Sequence, residues 1–289
     1  MSTVPSLRIG ILLIPPVQLL DASAIDLFGM LSHNYLEACG LPKALVDLAI
    51  QVEIHYIAAT GSGTHASMTS SATLPVTDSL SSPAVQPGQL DALLIPGPDP
   101  NLIPEDDILA FLRAHKEAGK TDFLIICTGS FPAGYAGLLN GKTVTGPRGL
   151  LGKLKEKFPA AKFVDRRWER DGRIWSSGRF PVLPRLPSHF LRYTPSVDFI
   201  VGISYSISLL IADFSGGITN GLDLTAAYLH HKVQKELADL VCAMAEVGDR
   251  PQDYDSGKAS NTLWWMWLVL RSLVKGKSKG GAKALQKED

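Results

Sequence analysis

An excess of charge of either sign is missing from this sequence. Its 289 residues carry 28 Lys plus Arg against 28 Asp plus Glu, so no net field draws the chain to nucleic acid, which argues against a nucleic-acid binder. Cysteine is scarce. Cys39, Cys127 and Cys242 are an odd number without Cys-x-x-Cys spacing, so neither a disulfide framework nor a zinc site is indicated, and no metal is expected. The chain also lacks an uninterrupted apolar run of the roughly 20 residues that a membrane-spanning helix needs; FIVGISYSISLLIADF has 16 residues, broken by serines. The N-terminal MSTVPSLRIGILLIPP has one Arg before a short apolar run and no small-residue cleavage site, so it reads as the first strand of a cytoplasmic protein. What is present is apolar content, 45%, with 26 Gly and 19 Pro, enough for a sizeable core in one large α/β domain or two small ones.

Apolar patterning alternates between strand and helix. Leu7 to Pro15 is a continuous buried-strand run, and helical periodicity follows through Leu19, Leu20, Ile25, Leu27, Phe28 and Leu31. Further strands are expected at Val52 to Ala59, Ala92 to Ile95 and Asp122 to Ile126, with an amphipathic helix at Asp106 to Ala118. The Ser/Thr/Pro-rich stretch Gly61 to Gln89 suggests a hairpin or surface excursion. Beyond Cys127 the reading is a small-residue helix, a strand at Lys142 to Thr145, a basic helix near Leu150 to Lys157, strands near Phe163 to Glu169 and Arg173 to Ser176, and one long helix from Leu222 to about Ala245. Such alternation implies an α/β fold with a mostly parallel sheet sandwiched by helices. No internal repeat is found.

Two regions fit this scheme poorly. Arg179 to Gly216 has four prolines, no period at its start, and then the 16-residue apolar run. Without it the flanks join as WSSG-GITNGLDL, a strand end passing through a glycine turn into a helix. The ends of the segment are also compatible with codons for a splice donor and acceptor that would preserve frame. A retained intron and a genuine loop insertion are the two readings; structureless insertions of this length are uncommon. The second region is the tail 248–289, where Trp264, Trp265, Trp267 and Leu268 stand beside Arg271, Lys275, Lys277 and Lys279. That composition suits either weak contact with a membrane surface or a terminal helix docking on the core or on a dimer partner. The domain assignment is thus a single domain over 1–247, interrupted at 179–216, followed by the tail.

Cys127 directly follows the apolar strand FLII and directly precedes Thr128-Gly129-Ser130 and a Gly/Ala-rich helix. This is a strand-to-helix elbow. A thiol there lies at the carboxyl edge of a parallel sheet, where ligand sites form, and at a helix start whose dipole favours the thiolate. Buried packing is the ordinary role of a cysteine, and Cys39 at a helix end and Cys242 in a helix read that way. Asp21, before Ala-Ser-Ala, suits an N-cap for the helix through Leu27.

The elbow, with LLIPGPDP upstream, GLLNGKTVTG downstream, the early LLDASAIDLFG and the late GGITNGLDL, resembles the ThiJ/PfpI superfamily of the class I glutamine-amidotransferase-like, flavodoxin-like fold. Cys-Thr-Gly-Ser is most similar to the isonitrile hydratase and transcription-regulator-associated branch. The resemblance covers residues 7–178 and 217–247. It implies Cys127 as the elbow nucleophile, Thr128 as the residue whose N–H holds developing negative charge, Asp21 as the acid that exchanges a proton with the thiol, and Asp26 as the alternative acid. Gly129 joins the substrate-binding set. Three departures stand out. The family's Pro-Gly-Gly loop is Pro96-Gly97-Pro98 here, and proline has no N–H, so Gly97 or Asp99 must supply the second donor. Pro147-Arg148 replaces the position where many members carry histidine. The late His-x-Glu of glutamine amidotransferases is replaced by His230-His231-Lys232, a solvated helix face, which disfavours ammonia transfer.

The resemblance therefore implies a cofactor-free, cysteine-dependent hydratase or lyase acting on a small electrophilic substrate, an isonitrile in first place, in a homodimer. A glyoxalase-like reaction on methylglyoxal and a non-catalytic redox-sensing or binding module are the alternatives. A transcription regulator would need a DNA-binding domain, and the residues after Gly248 contain no helix-turn-helix pair.

Overall fold

The computed structural model describes residues 5–178, 219–248 and 250–253. The segment Arg179 to Gly216 and nearly all of the Trp-rich tail lie outside the described residues. In chain order the elements are β1 (Ser6–Leu12), α1 (Leu19–Ala22), α2 (Ile25–Gly29), α3 (His33–Ala38), α4 (Lys43–Val46), β2 (Gln51–Ile57), β3 (His65–Ser67), β4 (Thr73–Pro75), β5 (Ala92–Ile95), α5 (Asp106–Ala118) and β6 (Asp122–Ile126). After the elbow come α6 (Ser130–Tyr135), β7 (Thr143–Val144), α7 (Leu151–Lys157), β8 (Lys162–Phe163), β9 (Trp168–Asp171), β10 (Ile174–Ser177), α8 (Asn220–Lys232) and α9 (Lys235–Met244).

One six-stranded sheet in the order β2-β1-β5-β6-β10-β9 organises the fold. Its first five strands are parallel, and β9 closes the edge antiparallel to β10. The central strands β5 and β6 lack polar alternation because both faces are covered. Ile9, Ile11, Leu94, Leu124, Ile126 and Trp175 point to the face shared with Phe28, Leu36, Leu224, Tyr228 and Leu237. Leu93, Ile95, Phe123, Ile125 and Ile174 point to the opposite face, against Ile108, Leu112, Phe131 and Leu154. The chain passes from β1 outward to β2 and returns to β5 on the other side of β1, so a topological switch point lies between β1 and β5. The carboxyl ends of β1, β5 and β6 open there, as parallel α/β sheets place their ligand sites.

The expected strand at 142–145 is present as β7, which pairs with β8 in a separate two-stranded parallel ladder. Two expectations are corrected. The stretch 163–169 is correspondingly divided between β8 and β9. The single long helix over 222–245 is two helices, because Val233 is extended (φ −114°, ψ 170°) and the Gln234 side chain donates to the Leu48 carbonyl, redirecting the chain. The excursion over 61–89 contains the expected hairpin, β3 against β4. Among the described residues, no helix is long and apolar enough to cross a membrane.

Candidate active site

Cys127 has φ +55°, in the left-handed region that a residue with a Cβ seldom occupies. The strain is local to the elbow and is held by packing on both sides. β6 ends at Ile126, a short 3-10 turn spans Cys127–Gly129, and α6 follows at once. Gly129 lies so close to the end of β5 that a Cβ there would collide with the Ile95 carbonyl oxygen. The Ser130 hydroxyl donates to the Cys127 carbonyl at 2.7 Å. Such a conformation costs of order 1–3 kcal/mol and persists because its surroundings over-determine it.

Asp21 meets the thiol from the first crossover. It is the third residue of α1 and is fully buried. It caps neither short helix: Gln18 and Ala24 occupy the N-cap positions without side-chain bonds, which corrects the N-cap expectation. One carboxyl oxygen, Oδ2, accepts the Gly97 N–H at 2.9 Å; the other, Oδ1, is buried without a hydrogen-bond partner among the described residues, and the Cys127 thiol lies near enough that each group shifts the other's titration. Burial pushes Asp21 up to about 7, opposed by the Gly97 N–H and the thiol. Burial, then the negative charge of Asp21, pushes the Cys127 thiol well above its ordinary value, opposed by the Thr128 N–H and hydroxyl. The expectation of a thiolate favoured by the helix start is therefore corrected: α6 has only six residues, and a buried carboxyl beside the sulfur outweighs it. At neutral pH the sulfur holds its proton, and Asp21 is poised to take and return one.

Thr128 stands on the other flank. Its hydroxyl donates to the Pro98 carbonyl at 2.6 Å, and its N–H is directed at Cys127. Gly97 is wedged between the two, since a Cβ there would collide with both Asp21 Oδ2 and Thr128 Oγ1. The structure thus brings together Cys127, Asp21, Thr128, Gly97 and Gly129. It does not bring in the other two. Asp99 is exposed and its carboxylate accepts from Asn101 N–H in a surface turn. Asp26 is exposed on α2, where its charge acts on Tyr35 and Tyr56. Gly97 cannot serve as the free second donor either, because its N–H is already bound by Asp21. Arg148, at the position expected to differ from the family's histidine, is buried and paired to Asp165 through Nε at 2.7 Å and Nη2 at 2.8 Å. Among the described residues no cluster of His, Cys, Asp and Glu is arranged to hold a metal ion.

One residue was not singled out by sequence reasoning. Ser177, at the end of β10, pairs in register with Ile126 and is fully buried, with no partner for its hydroxyl among the described residues. The signal was a polar Ser-Ser pair closing an otherwise apolar strand.

Known structures share this architecture. A ThiJ/PfpI family protein from Pseudomonas syringae is 17% identical, with 94% of this chain and 90% of that one covered at a TM-score of 0.57. An AraC family transcriptional regulator from Pseudomonas putida is 13% identical, covering 83% and 99% at a TM-score of 0.56. Drosophila melanogaster DJ-1beta is 13% identical, covering 84% and 99% at 0.55. At these identities the likeness shows the fold, a mostly parallel sheet flanked by helices. No curated protein matches the sequence. A model of the DJ-1/PfpI family matches residues 33–192, more than half of the chain and inclusive of the elbow: the chain belongs to the DJ-1/PfpI family.

Proposed function

We propose that this protein is a cysteine-dependent, cofactor-free hydratase of small electrophilic molecules, with an isonitrile as the substrate. The observation that carries the reading is the buried Asp21–Cys127 pair, in which a carboxyl titrating at about 7 faces a protonated thiol at a strained elbow. A general acid and base is most effective when its pKa lies near the working pH. The cycle uses that property twice. Asp21 takes the thiol proton as Sγ bonds to the terminal isonitrile carbon, and returns it to that carbon to leave a thioimidate. Water then adds to the thioimidate carbon, the C–S bond breaks, the sulfur regains a proton, and an N-substituted formamide departs. The sum is isonitrile plus water to formamide, with no oxidant or reductant.

The donors around the sulfur favour this chemistry over acyl transfer or the methylglyoxal reaction. Both of those put negative charge on an oxygen as sulfur attacks, and such charge calls for two converging N–H groups. Here the Gly97 N–H is bound by Asp21, Pro98 has none, and Asp99 is exposed in a surface turn, leaving the Thr128 N–H. Addition to an isonitrile places the charge on carbon, where the Asp21 proton quenches it. The high thiol pKa likewise disfavours a redox sensor, whose cysteine reacts as the thiolate. Turnover of cyclohexyl isonitrile and of methylglyoxal, measured for wild type, Cys127→Ala and Asp21→Asn, tests the proposal. Formamide production lost in Cys127→Ala and strongly reduced in Asp21→Asn is expected. Undiminished production in Cys127→Ala would overturn it.

A further inference from the structure

His115 is the one histidine among the described residues that is fully enclosed, and the proposed chemistry does not use it. It stands in the last turn of α5, with the Phe111 ring 4.5 Å away. Its Nε2 lies 3.0 Å from the Val85 carbonyl and its Nδ1 3.0 Å from the Thr121 hydroxyl, which in turn lies 3.0 Å from the Leu90 carbonyl. A carbonyl only accepts, so Nε2 carries the ring proton and Nδ1 is left as an acceptor. One imidazole thus joins α5 to the stretch 79–90, which leads into β5, and to the residue just before β6.

That stretch closes largely on itself. Val85 N–H donates to the Ser82 carbonyl, Gln89 N–H to that of Gln86, and the Gln86 side chain to those of Leu80 and Ser82. Among the described residues, the one hydrogen bond that ties 83–88 to anything outside 79–90 is that of Val85 to His115. Below it, Leu90 covers Gly10 of β1, where a Cβ would collide with the Leu90 side chain, and Val85 and Leu90 pack on the same sheet face as Ile57 and Leu93.

A second proton, on Nδ1, would find the Thr121 oxygen but no anion. The stretch 79–90 has no ionisable side chain. On α5, Arg113, Lys116 and Glu117 are exposed. Lys120, just beyond the helix, reaches toward Gly88 and is itself a cation. Asp122 is paired with Arg173 and Lys232, and Asp91 accepts the Arg8 N–H. An imidazolium here is a buried charge without a counter-ion, which is costly. Burial accordingly holds the His115 pKa below its ordinary value, opposed by the Val85 carbonyl.

We propose that His115 is an acid-sensitive clasp: neutral, it fastens the stretch 79–90 over the sheet, and on protonation the stretch opens so that water reaches the charged ring. This does not depend on the proposed reaction. The closed form binds the proton less readily than the open form, so its stability is complete above about 6.5 and is lost as pH falls from there toward the closed-state value.

Hydrogen exchange of the full chain, followed by peptide mass spectrometry and normalised to unstructured peptide at each pH, reads the opening. Between pH 7.5 and pH 5 the protection of 79–90 is expected to fall about thirtyfold in wild type, the excess of protonated over neutral histidine in an open form titrating at 6.5. The protection of β6 is expected to fall less. His115→Gln donates to Val85 and accepts from Thr121 without titrating, and is expected to keep its protection at pH 5. An equal fall in His115→Gln, or an equal fall in β6 of wild type, overturns the clasp. Where the variant does not fold, the His115 ring resonance in folded wild type decides: a midpoint below 6.5 with loss of protection across it supports the clasp, and a midpoint at or above 6.5 overturns it.

Discussion

Replacing Asp21 by Asn should make the protein more stable at alkaline pH and leave it little changed in acid. In the unfolded chain Asp21 loses its proton near pH 3.8, whereas in the folded protein burial holds it until about 7. Between these values the native state binds the extra proton, so this residue's contribution falls as pH rises through the window and is constant above it. About three units of displacement correspond to roughly 4 kcal/mol. No discount for solvent screening applies, since Asp21 is fully buried. Asn keeps the acceptor for the Gly97 N–H and carries no charge, so other titrating groups cancel in the comparison. Urea unfolding of both proteins at pH 4.5 and pH 8 measures the difference. The gain in Asp21→Asn is expected to grow by several kcal/mol between the two. Cys127→Ala sharpens the test: with a protonated thiol beside the carboxylate, its removal raises the Asp21 midpoint, whereas removal of a resident thiolate would lower it. A stability difference independent of pH would refute the buried-carboxyl argument, and a lowered midpoint would refute the assignment of the proton to sulfur.

Gly129→Ala should destabilise the fold by about 2–3 kcal/mol, because its Cβ meets the Ile95 carbonyl oxygen, and a lowered thermal midpoint would record it. Glu246 closes α9 at φ +52°, with Val247 N–H bonded to the Cys242 carbonyl; Glu246→Gly relieves the left-handed strain and should stabilise by about 1 kcal/mol in urea unfolding. Removing Arg179 to Gly216 leaves Gly178 joined to Gly217, a connection of ordinary βα length. It should raise soluble yield, thermal midpoint and Cys127-dependent turnover; equal values with and without the segment would identify it as a native surface element.

Sequence legibility followed the strength of local punctuation. Asp106–Ala118 and Asp122–Ile126 have the expected boundaries, because Pro104 precedes the helix start and Gly119, left-handed at φ 64°, ends it. The break at Val233 was not legible, since no Gly or Pro marks it and the cause is a contact with Leu48, far away in sequence. The same division runs through the site. Cys127 was readable from its strand, its small-residue helix and the family resemblance. Whether Asp21 or Asp26 faces the sulfur depended on how a chain of short helices turns after β1, and spacing alone did not decide it. The occupation of the Gly97 N–H could not be read at all, because it depends on a carboxylate 76 positions away.

That occupied amide ties the site's electrostatics to its substitution at Pro98. A proline at this position removes one N–H from the loop, and the Asp21 carboxylate removes the use of another by accepting it. Both changes draw stabilisation away from a charged oxygen on the β5 side of the sulfur and toward the carboxylate that handles the proton. The loop carbonyl at Pro98 is not idle: it fixes the Thr128 hydroxyl, so the residue following the nucleophile is held by the same segment that anchors the acid. Gly97 is obligatory in this arrangement because both side chains close on its Cα. A larger residue would push Asp21 and Thr128 apart and uncouple the acid from the sulfur while leaving the elbow itself folded. Under the proposed function, this wiring serves addition of the thiol followed by protonation at carbon.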